Sequence, residues 1–344
     1  MQDITYPSVE LLYWMLRELR SGKIGLHAVH LLQYLSPQTL ERMGVALVEQ
    51  DGDQETLLLY SICVNFRTAQ FLNMTVLEET DGAIAQKLRL AAEKYLCSAE
   101  IALSRIHLLT PPSAALLQAQ LCGASISRAA GNLAACWTFT SAACKTCMDL
   151  RLKASLEKED DELYYCFVYC YILDKGFSMI LGRRPYLSGS ELISSKHPVW
   201  TSGCSTLNLM TVHLEIARIQ GVIASDLHCR ARPKNNLEQR YKVSLVANLL
   251  LQMDGLRKKV DTFDRTPSDF RGLYMDRELH ILDFAFYSAL TAIRRFESLN
   301  LTESSSISKD CVEAARMSIL SLRYLQGHQS ADANNAARLS FVNW

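Results

Sequence analysis

The chain has 344 residues, 49% of them hydrophobic and 21% charged, and its 36 Lys+Arg balance 36 Asp+Glu for a formal net charge of +0. That length and apolar content can fill a sizeable core and exclude global disorder. The neutral balance excludes a broadly basic, nucleic-acid-binding surface. The 11 cysteines are odd in number and thinly spread, which points away from a secreted disulfide scaffold and towards a reducing compartment. The opening stretch MQDITYPSVELLYWML has no basic segment ahead of its apolar residues, so it does not read as a signal peptide. Every stretch of about 20 residues is interrupted by charge or polarity, so no transmembrane helix is expected.

Apolar residues recur at three- and four-residue spacing between the few prolines, and no run of alternating β-branched residues occurs. The expected fold is therefore all-α, an irregular multi-helix bundle with solenoid-like helical hairpins and no sheet. In chain order the spacing predicts helices over 8–19, 27–35, 37–48 (with Ser36 as cap) and 53–72. A long helix over 82–109 follows, ending before Pro111-Pro112, with Pro at the first turn of the next helix. Helices over 113–130 and 132–152 form a hairpin broken at Gly131. The next runs over 160–181, with the acidic cluster Glu157, Glu159, Asp160, Asp161 and Glu162 at its positive end. Helices over 205–223, 236–260, 267–298 and 308–325 complete the chain. Residues 186–203 and 301–306 read as loops. Paired helices at 82–130 and 113–152 resemble solenoid units, but no repeat period persists.

Cys144 and Cys147, three apart, and Cys166 and Cys170, four apart, each share a helix face, and four thiolates brought together would suit zinc. Both pairs sit in apolar helix interiors, so core packing is the favoured reading and no metal is assigned. The eight histidines form no metal-binding pattern, and no nucleophile-elbow, phosphate-loop or dinucleotide motif occurs. No residue is named as catalytic and no cofactor is expected. The dense aromatic set Trp137, Phe139, Tyr164, Tyr165, Phe167 and Phe177 is the candidate lining of a small-molecule pocket, with ordinary helix–helix core packing as the favoured reading. The basic clusters Arg230, Arg232, Lys234 and Arg257, Lys258, Lys259 read as solvated faces.

Residues 161–185, DELYYCFVYCYILDKGFSMILGRRP, resemble the signature of the middle homology region of fungal zinc-cluster transcription factors. The matching positions are Leu173-Asp174, Leu181-Gly182-Arg183 and Pro185, with Arg184 inserted before the proline. Residues 6–16, 115–152, 276–296 and 311–322 are similar, in the same order, to other helices of that region. SFVNW at 340–344 is similar to the start of a further helical part, so a truncation at the C-terminal end is expected. The segment also makes sense locally: Gly182 tolerates a helix-capping conformation and Arg183 and Arg184 face the negative helix end. Asp174 is expected to pair with a basic residue, Arg183 being the candidate.

The resemblance implies one regulatory region over 1–344, a nuclear location, and control of transcription through a small-molecule ligand or transcriptional partner proteins. The family's six-cysteine DNA-binding domain is not in this sequence, so no direct nucleic-acid binding is expected. Two other readings stand beside it. The chain could be a stand-alone, cytoplasmic helical protein of a fungal biosynthetic pathway that binds or converts a small apolar metabolite. It could also be a helical protein-binding adaptor.

Overall fold

The computed structural model describes residues 4–21, 34–154, 161–187, 205–228, 236–263, 275–300 and 307–327. These residues form eleven α-helices and one π-helical turn, with no strand among them. The helices are α1 (Val9–Ser21), α2 (Pro37–Glu49), α3 (Gln54–Glu78), α4 (Gly82–Leu103), α5 (Ala114–Ala129) and α6 (Leu133–Ala154). They continue with α7 (Asp161–Leu181), α8 (Ser205–Val222), α9 (Asn236–Asp261), α10 (Met275–Asn300) and α11 (Lys309–Gly327). The π-helical turn, Ile223–His228, continues α8. None of these helices is long and apolar enough to cross a membrane.

The caps explain where the helices begin. Ser36, Asp53 and Ser113 each sit in extended backbone and accept a hydrogen bond from the amide three residues on, which satisfies an otherwise orphaned N–H. At the start of α2 the Glu162 carboxylate adds a second cap: it accepts from the Ser36 amide and the Thr39 hydroxyl, both at 2.6 Å. Gly131, at φ +71°, breaks α5 from α6, and Asn132 then caps α6 through a 3.0 Å bond to the Ala135 amide. That is the hairpin the sequence predicts.

Two expectations shift. The helix expected over 82–109 ends at Leu103, where the Ser104 hydroxyl bonds back to the Ile101 carbonyl and the chain tightens into turns through Thr110. Residues before a proline are pushed out of the α region, and two prolines follow. Pro111-Pro112 also precede the Ser113 cap, so they lie outside the first turn of α5 rather than in it. The expected helix over 27–35 falls largely outside the described residues. So do residues 267–274 of the next-to-last expected helix, both expected loops beyond Leu187, the cluster at 230–234, Glu157 to Asp160, and residues 340–344.

The chain divides into two compact units, the first running to Cys170 and the second beginning at Tyr171, inside α7. In the first unit α3 is the hub: it packs mainly against α4 and also meets α1, α2 and α5, while α5 and α6 pair closely. The close hairpins are thus α3–α4 and α5–α6, so α4 pairs with the helix before it rather than with α5. Because α3 is enclosed on several sides, the nine residues Ser61 to Ala69 are all buried, polar ones included. In the second unit α10 is the hub, paired closely with α11 and touched by α8 and α9. Arg257 ties α9 to α10 through Asp283 at 2.5 Å, and Lys259 ties α9 to α8 through Glu215 at 2.8 Å.

Candidate functional site

The segment that carries the family resemblance is a closed structural unit. α7 ends in a Schellman cap: Gly182 sits at φ +62°, its N–H bonds the Met179 carbonyl, and the Arg183 N–H reaches the Ser178 carbonyl at 2.9 Å. Pro185 then carries the chain back along the helix. There Asp174, fully buried, accepts the Tyr186 amide at 2.9 Å and the Leu187 amide at 3.1 Å. Lys175, also buried, pairs with Asp174 at 3.0 Å and donates to the Leu187 carbonyl. The partners of Asp174 are therefore its neighbour Lys175 and two backbone amides, not Arg183, whose residue is exposed.

The lysine needs room for this. A Cβ at Gly221 of α8 would lie 2.9 Å from Lys175 Cδ. The ammonium also rests 4.7 Å from the Tyr171 ring centroid. Burial pushes the Tyr171 phenol up to about 12, with Asp174 adding to the rise and Arg218 opposing it. Leu173 and Phe177 are buried beside this arrangement in the second unit, whereas Leu181 and Pro185 are half-buried.

The aromatic candidates are distributed. Trp137 is buried on α6. Phe139, half-buried, lies over Gly123 of α5 beside Leu103, so close that a Cβ at Gly123 would meet both at 2.9 Å. Tyr164 and Tyr165 meet edge to face at 5.7 Å, and with Phe167 they are half-buried on the first turns of α7. Phe177 belongs to the second unit. The four cysteines do not gather into a zinc site: Cys144 and Cys170 approach to 3.5 Å, while Cys166 points its thiol at the Tyr34 carbonyl. Among the described residues no group of three or more metal-ligating side chains occurs.

The interior of the first unit holds polar chemistry that sequence reasoning missed. Tyr34 and Tyr169 stack with ring centroids 5.3 Å apart and planes 9° from parallel. The Tyr169 hydroxyl receives Arg128 Nη2 at 3.1 Å and shares a hydrogen with Ser125 Oγ at 2.9 Å. Among the described residues the Tyr34 hydroxyl has only the Cys122 thiol, 3.9 Å away. Burial holds the Tyr34 phenol well above its ordinary value, with Cys122 and Tyr169 adding to the rise and the Arg67 charge opposing it.

Arg67 itself, on α3, is 9% exposed and, among the described residues, its side chain makes one hydrogen bond, from Nη1 to Gln70 at 3.0 Å. Its Nε and that of Arg128 are both buried without an acceptor. No carboxylate pairs with either arginine among the described residues. Asn65, on the same helix as Arg67, is fully buried with both amide atoms unpartnered. One sequence signal existed: Asn65 and Arg67 fall within the largely apolar run ICVNFRTAQFL, which also carries Thr68 and Gln70. A helix apolar on every side must bury whatever polar residues it carries.

A shallow cleft of about 910 Å³ lies elsewhere in the first unit, lined by Gln54, Glu55, Leu58, Arg105 and His107, with Leu108 and Leu109 on its rim. No family model, curated protein or solved structure matches the chain.

Proposed function

We propose that the chain is the regulatory region of a fungal zinc-cluster transcription factor, or a protein derived from one. It acts in the nucleus, through a helical packing that a small ligand or partner protein biases. The single observation supporting this reading is the segment from Leu173 to Pro185. Its residues follow the resemblance in type and order, with Arg184 inserted before the proline, and three of them have a local physical role: Asp174 holds the returning loop, Gly182 caps the helix and Pro185 turns the chain. The motif is thereby read as an architectural device, which suits a regulatory scaffold better than a reaction centre.

The test is a reporter assay in a fungal cell. The chain is fused to a heterologous DNA-binding domain whose operator controls the reporter. A change in transcription of at least about tenfold against the DNA-binding domain alone, roughly the scale of a modest allosteric coupling, is expected. A fusion that occupies the operator and leaves transcription unchanged would overturn the reading.

A second reading is favoured by the polar interior of the first unit: a helical protein that binds or converts a small metabolite. Native mass spectrometry after incubation with cell extract separates it. A retained small-molecule mass that also raises the melting temperature supports it, and its absence counts against it.

A further inference from the structure

We propose that the first unit carries a binding site for a small-molecule oxyanion, a carboxylate or phosphate group, built by Arg67 and Arg128 around the stacked Tyr34–Tyr169 pair. The inference stands apart from the transcriptional reading and needs only the geometry of this unit.

The argument is one of unmatched donors. A guanidinium carries five N–H donors and stays protonated at any physiological pH. Arg67, 9% exposed, uses one of its nitrogens on Gln70, and its buried Nε faces no acceptor. Arg128 uses Nη2 on the Tyr169 hydroxyl, and its Nε is likewise buried and unmatched. Buried charge is ordinarily paired, because the protein interior replaces hydration only when it supplies a counter-charge. Here Arg128 bonds one member of the tyrosine pair and the charge of Arg67 acts on the other, and no carboxylate pairs with either arginine among the described residues.

The neutral groups around them are also donors. The Tyr34 hydroxyl, with only a thiol at 3.9 Å among the described residues, has its hydrogen to give. When Ser125 donates across the 2.9 Å contact, the Tyr169 hydroxyl is free to donate as well. Arginine forks and phenol hydroxyls converge on the chemistry of a carboxylate or phosphate, whose oxygens accept in pairs. The same enclosure that leaves Arg67 unmatched would strengthen its bond to an arriving oxyanion.

The experiment uses the whole chain with two probes, benzoate and inorganic phosphate, each compared with sodium chloride at equal ionic strength. Calorimetry and thermal unfolding are read together. At least one probe is expected to bind with a Kd below about 10 mM and, at a hundredfold excess over Kd, to raise the melting temperature by about 5 °C. Which probe binds more tightly identifies the carboxylate or the phosphate source. Arg128→Gln, at a half-buried position, is expected to weaken binding at least about tenfold. Arg67→Lys keeps the charge but loses the fork and Nε, and is expected to weaken it about fivefold or more. The proposal is overturned by wild-type protein that responds to neither probe. It is equally overturned by binding that Arg128→Gln leaves within about twofold of wild type, which remains decisive even where an Arg67 variant does not fold.

Discussion

Each unit buries a cation at its heart, and the two do it in opposite ways. In the second, Lys175 is enclosed together with Asp174, and the carboxylate's other hydrogen bonds come from two backbone amides of the loop it holds. Charge and hydrogen bonds close locally, and the result is a clasp between α7 and the chain that follows it. In the first, Arg67 is enclosed without a carboxylate among the described residues, and its charge acts on the Tyr34 phenol and the Cys122 thiol. Its Nε is buried with no acceptor. The difference teaches that a buried charge has to be read with its partners. A matched one is architecture; an unmatched one marks a place where the fold holds energy in reserve for a ligand.

The largest expected effect breaks the matched clasp. Asp174→Ala leaves Lys175 buried and unpaired and orphans two amides, so it should lower unfolding free energy by about 3–5 kcal/mol. Replacing both residues, as Asp174→Leu with Lys175→Met, should recover most of that loss in urea unfolding; a double variant as unstable as the single one would refute the pairing.

Gly123→Ala tests the first unit away from its charges. The new methyl would press on Leu103 and Phe139, a cost of about 1–3 kcal/mol, visible as a lower urea midpoint at constant slope. Gly182→Ala isolates the turn that lets the clasp close. Nothing lies within 4 Å of the added methyl, so the cost is purely that of the left-handed backbone, about 1–2 kcal/mol. A cost near zero would show that the turn relaxes.

The smallest effect is a pH dependence. The Tyr171 phenol is pushed up to about 12 by burial, above the value near 10 expected of an unfolded chain. The unfolded state therefore gives up this proton first. The stability Tyr171 contributes is complete below about pH 10 and falls as pH rises towards 12. Ultraviolet titration of wild type against Tyr171→Phe should show one phenol missing from the late phase only.

Much of the fold is legible in the sequence, because helix spacing and caps are local. Ser36, Asp53, Ser113 and Gly131 all mark boundaries within a residue or two of where the helices begin or break. The end of α4 is not legible: periodicity ran on past Leu103, while turns set by Ser104 and two prolines stopped the helix. The partner of Asp174 is not legible either. Adjacent helical residues diverge by about 100°, so Lys175 is a poor guess from spacing alone. It becomes the partner because its long side chain lies over Gly221 and turns towards the returning loop. Arg67 is the clearest omission. Its apolar sequence neighbours hint at burial, but they do not separate an arginine at the edge of a helix interface from one enclosed within it. Only the packing of α3 decides it.

The central contrast is tested most directly by one substitution, Arg67→Met, in protein freed of small molecules. Urea unfolding of wild type and variant would be compared at neutral pH. If the buried guanidinium is unmatched, the apolar replacement of similar length leaves stability unchanged or raises it by about 1–2 kcal/mol, opposite in sign to Asp174→Ala. A loss of about 3 kcal/mol or more would mean that Arg67 is already fully paired within the fold, and would contradict the account.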